Sequence, residues 1–169
     1  LVKFTADTES QLPAITYWLM GSLSAASFAA LRLGAPAILL SCIVLLLLRW
    51  KLNLLPLSDE EARTFGTHMK CLRGLCIVCC AAMTASCVAM CGQVGWVGLL
   101  VPHVCRMIFG SSHARLLPAA ISFGAVFMMV VDTLARTISA AEIPVSILTA
   151  IIGAPIFIAI VRKKGGWSL

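Results

Sequence analysis

Four strongly apolar stretches of this chain contain no Asp, Glu, Lys or Arg: Leu33–Leu48, Gly74–Cys105, Leu116–Val131 and Ile143–Val161. A helix on the surface of a soluble protein must show water a polar face, and runs of this length leave none. A membrane helix, by contrast, needs about 20 mostly apolar residues to cross a hydrocarbon core of roughly 30 Å at about 1.5 Å per residue. Each run meets or approaches that requirement. Composition points the same way: the chain is 60% hydrophobic and 12% charged with a mean hydropathy of +1.00, whereas soluble domains are about a quarter charged. A water-soluble globule is excluded, and so is a disordered chain, which needs low hydrophobicity and high net charge. The expected fold is all-α, a polytopic transmembrane bundle.

The second run is too long for one span. Its 32 residues would stretch to about 48 Å as a single helix, and Gly92, Gly95 and Gly98 followed by Pro102 mark a break. Splitting it at the turn Cys91–Gly95 gives five predicted spans, about 31–50, 72–91, 96–109, 116–137 and 145–162. Cytoplasmic loops collect Lys and Arg, and this count places ten of the thirteen basic residues on one side: Arg49, Lys51, Arg63, Lys70, Arg73, Arg106, Arg115, Arg162, Lys163 and Lys164. Lys3, Arg32 and Arg136 fall on the other. If 96–109 instead dipped in and returned, the division would be six against seven, so five spans are expected, with an outside N-terminus and a cytoplasmic C-terminus. Residues 1–30 are less apolar. Asp7–Ser10 reads as a helix start and Leu12–Leu23 as an amphipathic stretch, expected as a short surface helix outside the membrane.

The net charge of +6 would raise nucleic acid as a partner in a soluble protein. Here the basic residues lie between apolar runs, where they report orientation against membrane lipid. No nucleic-acid partner is expected. Five of the eight cysteines (Cys76, Cys79, Cys80, Cys87, Cys91) lie in one apolar run and read as small packing residues. Cys76, Cys79 and Cys80 resemble half a zinc site, but thiolates are costly in lipid, so no metal and no cofactor are expected. The chain opens at Leu1 with no initiator Met and no basic leader, and it is expected to be part of a longer protein without a signal peptide.

The longest polar insertion, Arg49–Arg73, holds Ser58 as a potential cap, Asp59-Glu60-Glu61 as a first acidic turn, and Gly66 as a terminator. On spacing alone it is either a handle for a soluble partner or a solvated loop. His103 follows Pro102 in a short span, and an intramembrane imidazole invites a ligand or proton-relay role. A hydrogen-bonded packing histidine is the plainer expectation. Asp132 and Arg136 stand i, i+4 near the outer end of the fourth span and can pair. The last span opens on Glu142-Ile143-Pro144 and carries Ser146, Thr149, Gly153 and Pro155 along its length, which suit either helix packing or a lined path.

Gly95-Trp96-Val97-Gly98-Leu99-Leu100-Val101-Pro102-His103-Val104-Cys105-Arg106, followed by Gly110–Pro118, resembles the signature of the iron-siderophore/vitamin B12 family of ABC importer permeases. Trp18–Leu23, Leu52–Gly66, Asp132–Thr137 with Glu142–Pro144, and Gly153–Phe157 agree in order, so the resemblance covers essentially the whole chain. It corresponds to the C-terminal half of a ten-span permease. Small departures are Trp96 where the family usually has Phe, and Ser58 and Ser146 where Gly is common.

The resemblance implies a transport subunit of the bacterial or archaeal cytoplasmic membrane rather than an enzyme, with ATP hydrolysed by a separate ATP-binding cassette subunit. Nothing in this chain resembles a phosphate-binding loop. Asp59, Glu60, Glu61, Ala62, Arg63 and Gly66 would begin the region that couples to the ATPase. Arg136 would meet the periplasmic or lipoprotein substrate-binding protein, with a purely structural bridge to Asp132 as the alternative. Ser146, Thr149 and Gly153 would border the translocation path, and Gly98, Pro102, His103 and Arg106 would be structural signature positions. The cargo class would be an iron(III)-siderophore or related chelate such as haem, cobalamin or molybdate, and a second permease copy or a similar subunit is implied. A secondary transporter would need intramembrane carboxylates, and only Asp132 fits. A non-transporting structural subunit is the remaining rival.

Overall fold

A computed structural model of the chain describes residues 11–23, 26–57, 61, 64–66, 68–138 and 143–164. Of the residues singled out above, Asp7–Ser10, Ser58, Asp59, Glu60, Ala62, Arg63 and Glu142 lie outside the described residues.

The described residues form α1 (Gln11–Leu19), α2 (Phe28–Leu47), a 3-10 turn (Lys51–Leu54), α3 (Met69–Cys91), α4 (Val97–Phe109), α5 (His113–Ile138) and α6 (Val145–Lys164). Three of them, α2, α3 and α5, are long and apolar enough to cross a membrane, while α4 and the Val145–Ala159 part of α6 are shorter apolar helices. The helices extend beyond the uncharged runs because backbone hydrogen bonding does not stop at a charge. Helix α2 begins at Phe28, where the Ser27 hydroxyl accepts from the Ala30 N–H at 3.2 Å, so Arg32 lies inside it. Helix α4, with 13 residues, rises only about 20 Å.

Neighbouring helices run antiparallel. A Cβ on Gly34, near the start of α2, would strike the Met90 side chain near the end of α3. At the opposite ends of these two helices, Leu48 packs against Leu52, Met69 and Leu72. Helix α5 meets α4 through Val101, Cys105 and Leu116, and meets α6 through Val131, Ala135, Val145 and Leu148. The bundle therefore has two ends. What we term the loop end holds the 48–68 connection and the Gly110–Ser112 turn. The clasp end holds Trp18–Ser22, Gly92–Gly95 and the entry to α6. Among the described basic residues, Arg49, Lys51, Lys70, Arg73, Arg106, Arg115, Arg162, Lys163 and Lys164 belong to the loop end, whereas Arg32 and Arg136 belong to the clasp end.

The buried core is thin and the outer faces are apolar. Leu40 is 66% exposed, Ile77 69% and Met129 62%, which suits a lipid surrounding or further protein rather than water. Helices α2, α4, α5 and α6 each contain a proline (Pro36, Pro102, Pro118, Pro155); the 23 residues of α3 contain none.

Candidate functional site

At the loop end the chain leaves α2 and folds into the 3-10 turn, where Leu52 is buried against Met69 and Leu72. Asn53 reaches across to the start of α5. Its Oδ1 accepts from the His113 backbone N–H at 2.8 Å and lies 3.0 Å from the His113 ring Nδ1. One amide thus ties the α2–α3 connection to the α4–α5 turn. Of the proposed coupling residues, Glu61 and Gly66 are described and both are exposed. The Thr64 hydroxyl donates to the Glu61 carbonyl at 2.6 Å, and Gly66 has a φ of +67° with nothing within 4 Å of a notional Cβ. Backbone conformation alone, not crowding, favours glycine there. Beside this turn is a cavity of about 240 Å³ bordered by Lys51, Gly66, His68 and Leu72.

The clasp end is built differently. Gly21 and Gly92 each have a φ of +71°, and they face one another. A Cβ on Gly21 would collide with the Gln93 carbonyl, and one on Gly92 with the Trp18 carbonyl. The Ser22 N–H donates to the Cys91 carbonyl at 2.9 Å, the Val145 N–H to the Gly21 carbonyl at 3.1 Å and the Ser146 N–H to the Met20 carbonyl at 3.4 Å. The Ser146 hydroxyl also donates to that Met20 carbonyl. Residues 18–22 therefore join the end of α3 to the start of α6. The stretch after α1 is part of the bundle's end rather than a detached surface segment.

Ser146, Thr149 and Gly153 follow one another along the inner side of α6. Thr149 is fully buried, with its hydroxyl donating to the Ser146 carbonyl at 3.0 Å, and a Cβ on Gly153 would lie 2.9 Å from the Trp96 Cβ. Within the described residues these three positions face α4 and the clasp, with both hydroxyls occupied. Any part they play in a path is set through the position of α6.

In α4, Pro102 has no N–H for the Gly98 carbonyl one turn earlier, which loosens the helix at that turn; Gly98 is exposed, with open space around it. Arg106 sits exposed in the last turn, where a cation complements the helix dipole, and the Gly110 N–H donates to its carbonyl at 3.0 Å. His103 differs from expectation. Its Nε2 is buried without a hydrogen-bond partner among the described residues, and the ring meets Phe157 edge-on, at 5.9 Å and 62°. Phe157 meets Trp96 in the same manner at 6.2 Å. The imidazole is thus an aromatic packing group between α4 and α6 rather than a hydrogen-bonded one.

Arg136 and Asp132 do pair, Nε to Oδ2 at 2.9 Å, with side chains 46% and 27% exposed. The arginine is presented at the rim of the clasp end and braced by the carboxylate one turn below. Sequence reasoning missed Asn53 and the Gly21–Gly92 crossing. Both involve partners far apart in the chain, and the only local signal was a glycine within each of two separately noted segments.

An all-helical bundle with apolar outer faces, a basic end and a nearly uncharged one is that of a multi-pass membrane protein. The chain matches the FecCD transport family over residues 1–163 and belongs to it. It is 45% identical over 168 residues to the molybdate import system permease protein MolB of Haemophilus influenzae, covering 98% of this chain and 50% of that protein. It is 39% identical to the hemin transport system permease protein HmuU of Yersinia pestis, covering 92% and 47%. A solved structure described as an inward-facing metal-chelate type ABC transporter superposes with a TM-score of 0.91 at 45% identity, covering 96% of this chain and 53% of that one. The chain spans about half the length of the curated relatives it matches.

Proposed function

We propose that this chain is the C-terminal half of the permease subunit of a binding-protein-dependent ABC importer, moving a metal chelate or metal oxyanion inward across the cytoplasmic membrane. The observation that carries the reading is the match to permease proteins over nearly the whole chain, with both connections of the loop end gathered at the basic end of the bundle. Under the positive-inside rule that end is cytoplasmic. The turn from residue 59 to Gly66 is then the seat for the ATP-binding cassette subunit, and the Asn53–His113 contact carries movement of that seat to α5. The clasp end is periplasmic and presents Arg136 to the substrate-binding protein, while α6 borders the path. A second permease copy or a similar subunit completes the pore. Relatives are named for molybdate, hemin and cobalamin, and a metal-containing complex is the cargo class they share.

Gly66→Pro, made in the complete permease, tests the seat. Proline holds φ near about −65°, opposite in sign to the +67° of Gly66. The variant should reach the membrane at normal levels yet lose stimulation of the ATPase and cargo uptake in proteoliposomes. Normal uptake would remove the seat from this turn. A wild-type protein that neither stimulates an ATPase nor moves cargo when its partners are supplied would remove the importer reading itself.

A further inference from the structure

An open groove of about 630 Å³ runs along α5, lined by Phe109 of α4 and by Pro118, Ala119, Ser122, Phe123 and Val126, with Arg115 in the lining toward the loop end. From Arg115 to Val126 is eleven residues along the helix, about 16 Å of rise. One leaflet of a bilayer with a hydrocarbon core of roughly 30 Å is about 15 Å deep. The groove therefore begins at a guanidinium on the basic end of the bundle and continues as apolar wall for about one acyl chain. It fits a molecule with an anionic head and a single long apolar chain directed at the bilayer centre.

We propose that this groove is a binding site for an anionic phospholipid, its phosphate at Arg115 and one acyl chain against Phe109, Phe123 and Val126. Arginine matches phosphate oxygens through paired N–H donors, and Arg115 is exposed in the groove's lining. The rival occupant is a helix from outside these 169 residues. Membrane helices approach one another closely over small side chains, and the surface of that kind belongs to α3, where Gly74, Ala81, Thr84 and Ala85 are exposed. In the groove the small lining residues lie low, Ala114 buried and Ala119 half-buried with Ser122 alone exposed, while exposed Phe109, Phe123 and Val126 flank an arginine and make a wall for a flexible chain instead. The site is independent of cargo and of the ATPase.

The test places a reporter in the groove of the complete permease by Phe123→Trp and measures quenching of the added fluorescence by phospholipids brominated on the acyl chain. Brominated phosphatidylglycerol should quench at roughly fivefold lower mole fraction than brominated phosphatidylcholine, the scale of one basic residue at an anionic surface. Arg115→Ala should abolish that preference, Arg115→Lys should retain most of it, and Arg106→Ala, outside the groove, should leave it unchanged. Equal quenching by the two lipids, insensitive to Arg115, would show bulk lipid contact and overturn the site. No quenching by either lipid would show that another protein segment fills the groove, and overturn it equally.

Discussion

The two ends of this bundle are held by opposite means. At the loop end, side chains provide the join: Leu52 in a small apolar cluster and the Asn53 amide on His113, amid nine described basic residues. At the clasp end the backbone provides it, through two left-handed glycines in mutual contact and main-chain hydrogen bonds among Met20, Gly21, Ser22, Cys91, Val145 and Ser146. Side-chain joins can be adjusted by rotamer changes that cost little, whereas interlocked backbones, with Gly21 and Gly92 both buried, cannot shift without leaving main-chain donors and acceptors unpaired. The contrast predicts a compliant loop end and a rigid clasp end.

The sharpest way to break that comparison is Gly92→Ala. The methyl group would require a left-handed backbone, costing about 1–2 kcal/mol, and would strike the Trp18 carbonyl. The combined loss should reach about 3 kcal/mol or more. In the complete permease, thermal melting in detergent should fall steeply and membrane levels should drop. Wild-type stability would mean the clasp does not hold the bundle together.

Arg136→Glu should have the next largest effect, and on association rather than folding. If Arg136 steers the binding protein, reversal of its charge should weaken association about tenfold at low salt, and wild-type affinity should fall as salt rises, since exposed charges are screened over roughly 8 Å at physiological ionic strength. The exchanged variant Asp132→Arg with Arg136→Glu restores the ion pair but not the charge at the rim, so permease stability should recover while docking stays weak. Full recovery of docking would leave Arg136 as scaffold only.

The smallest effect should come from Asn53→Ala, which removes the partner of the His113 N–H at the loop end. A loss of about 1 kcal/mol is expected, small beside Gly92→Ala, with a lower ATPase stimulation per bound partner as the functional mark. A destabilisation equal to that of Gly92→Ala would erase the distinction between the ends.

Much of the helical framework was legible in the sequence because it rests on local properties. Uncharged runs such as Leu116–Val131 lie within helices, and the glycines after Cys91 interrupt the longest run where α3 ends and α4 has yet to begin. The Asp132–Arg136 pair was legible for the same reason, since an i, i+4 spacing fixes proximity on a helix. The clasp was not. The Ser146 hydroxyl meets a carbonyl 126 residues away and the His113 N–H an amide 60 away, and no periodicity records which distant backbone a glycine will touch. His103 was misjudged for a related reason. Its neighbour comes from α6, 54 residues along the chain, which places the Phe157 ring edge-on against the imidazole and offers Nε2 no partner among the described residues.

Helix α3 has a mechanical consequence. Proline deletes a main-chain hydrogen bond and gives a helix a place to bend, and α2, α4, α5 and α6 each have one. Helix α3 has none, and its 23 residues make a strut of about 34 Å rooted at Met69 beside the 3-10 turn and ending at Gly92 in the crossed backbones. Its neighbours can flex around it. A force applied at Met69 meets no soft joint of that kind before Gly92, so the strut conveys displacement along its axis while the proline-bearing helices can absorb it sideways.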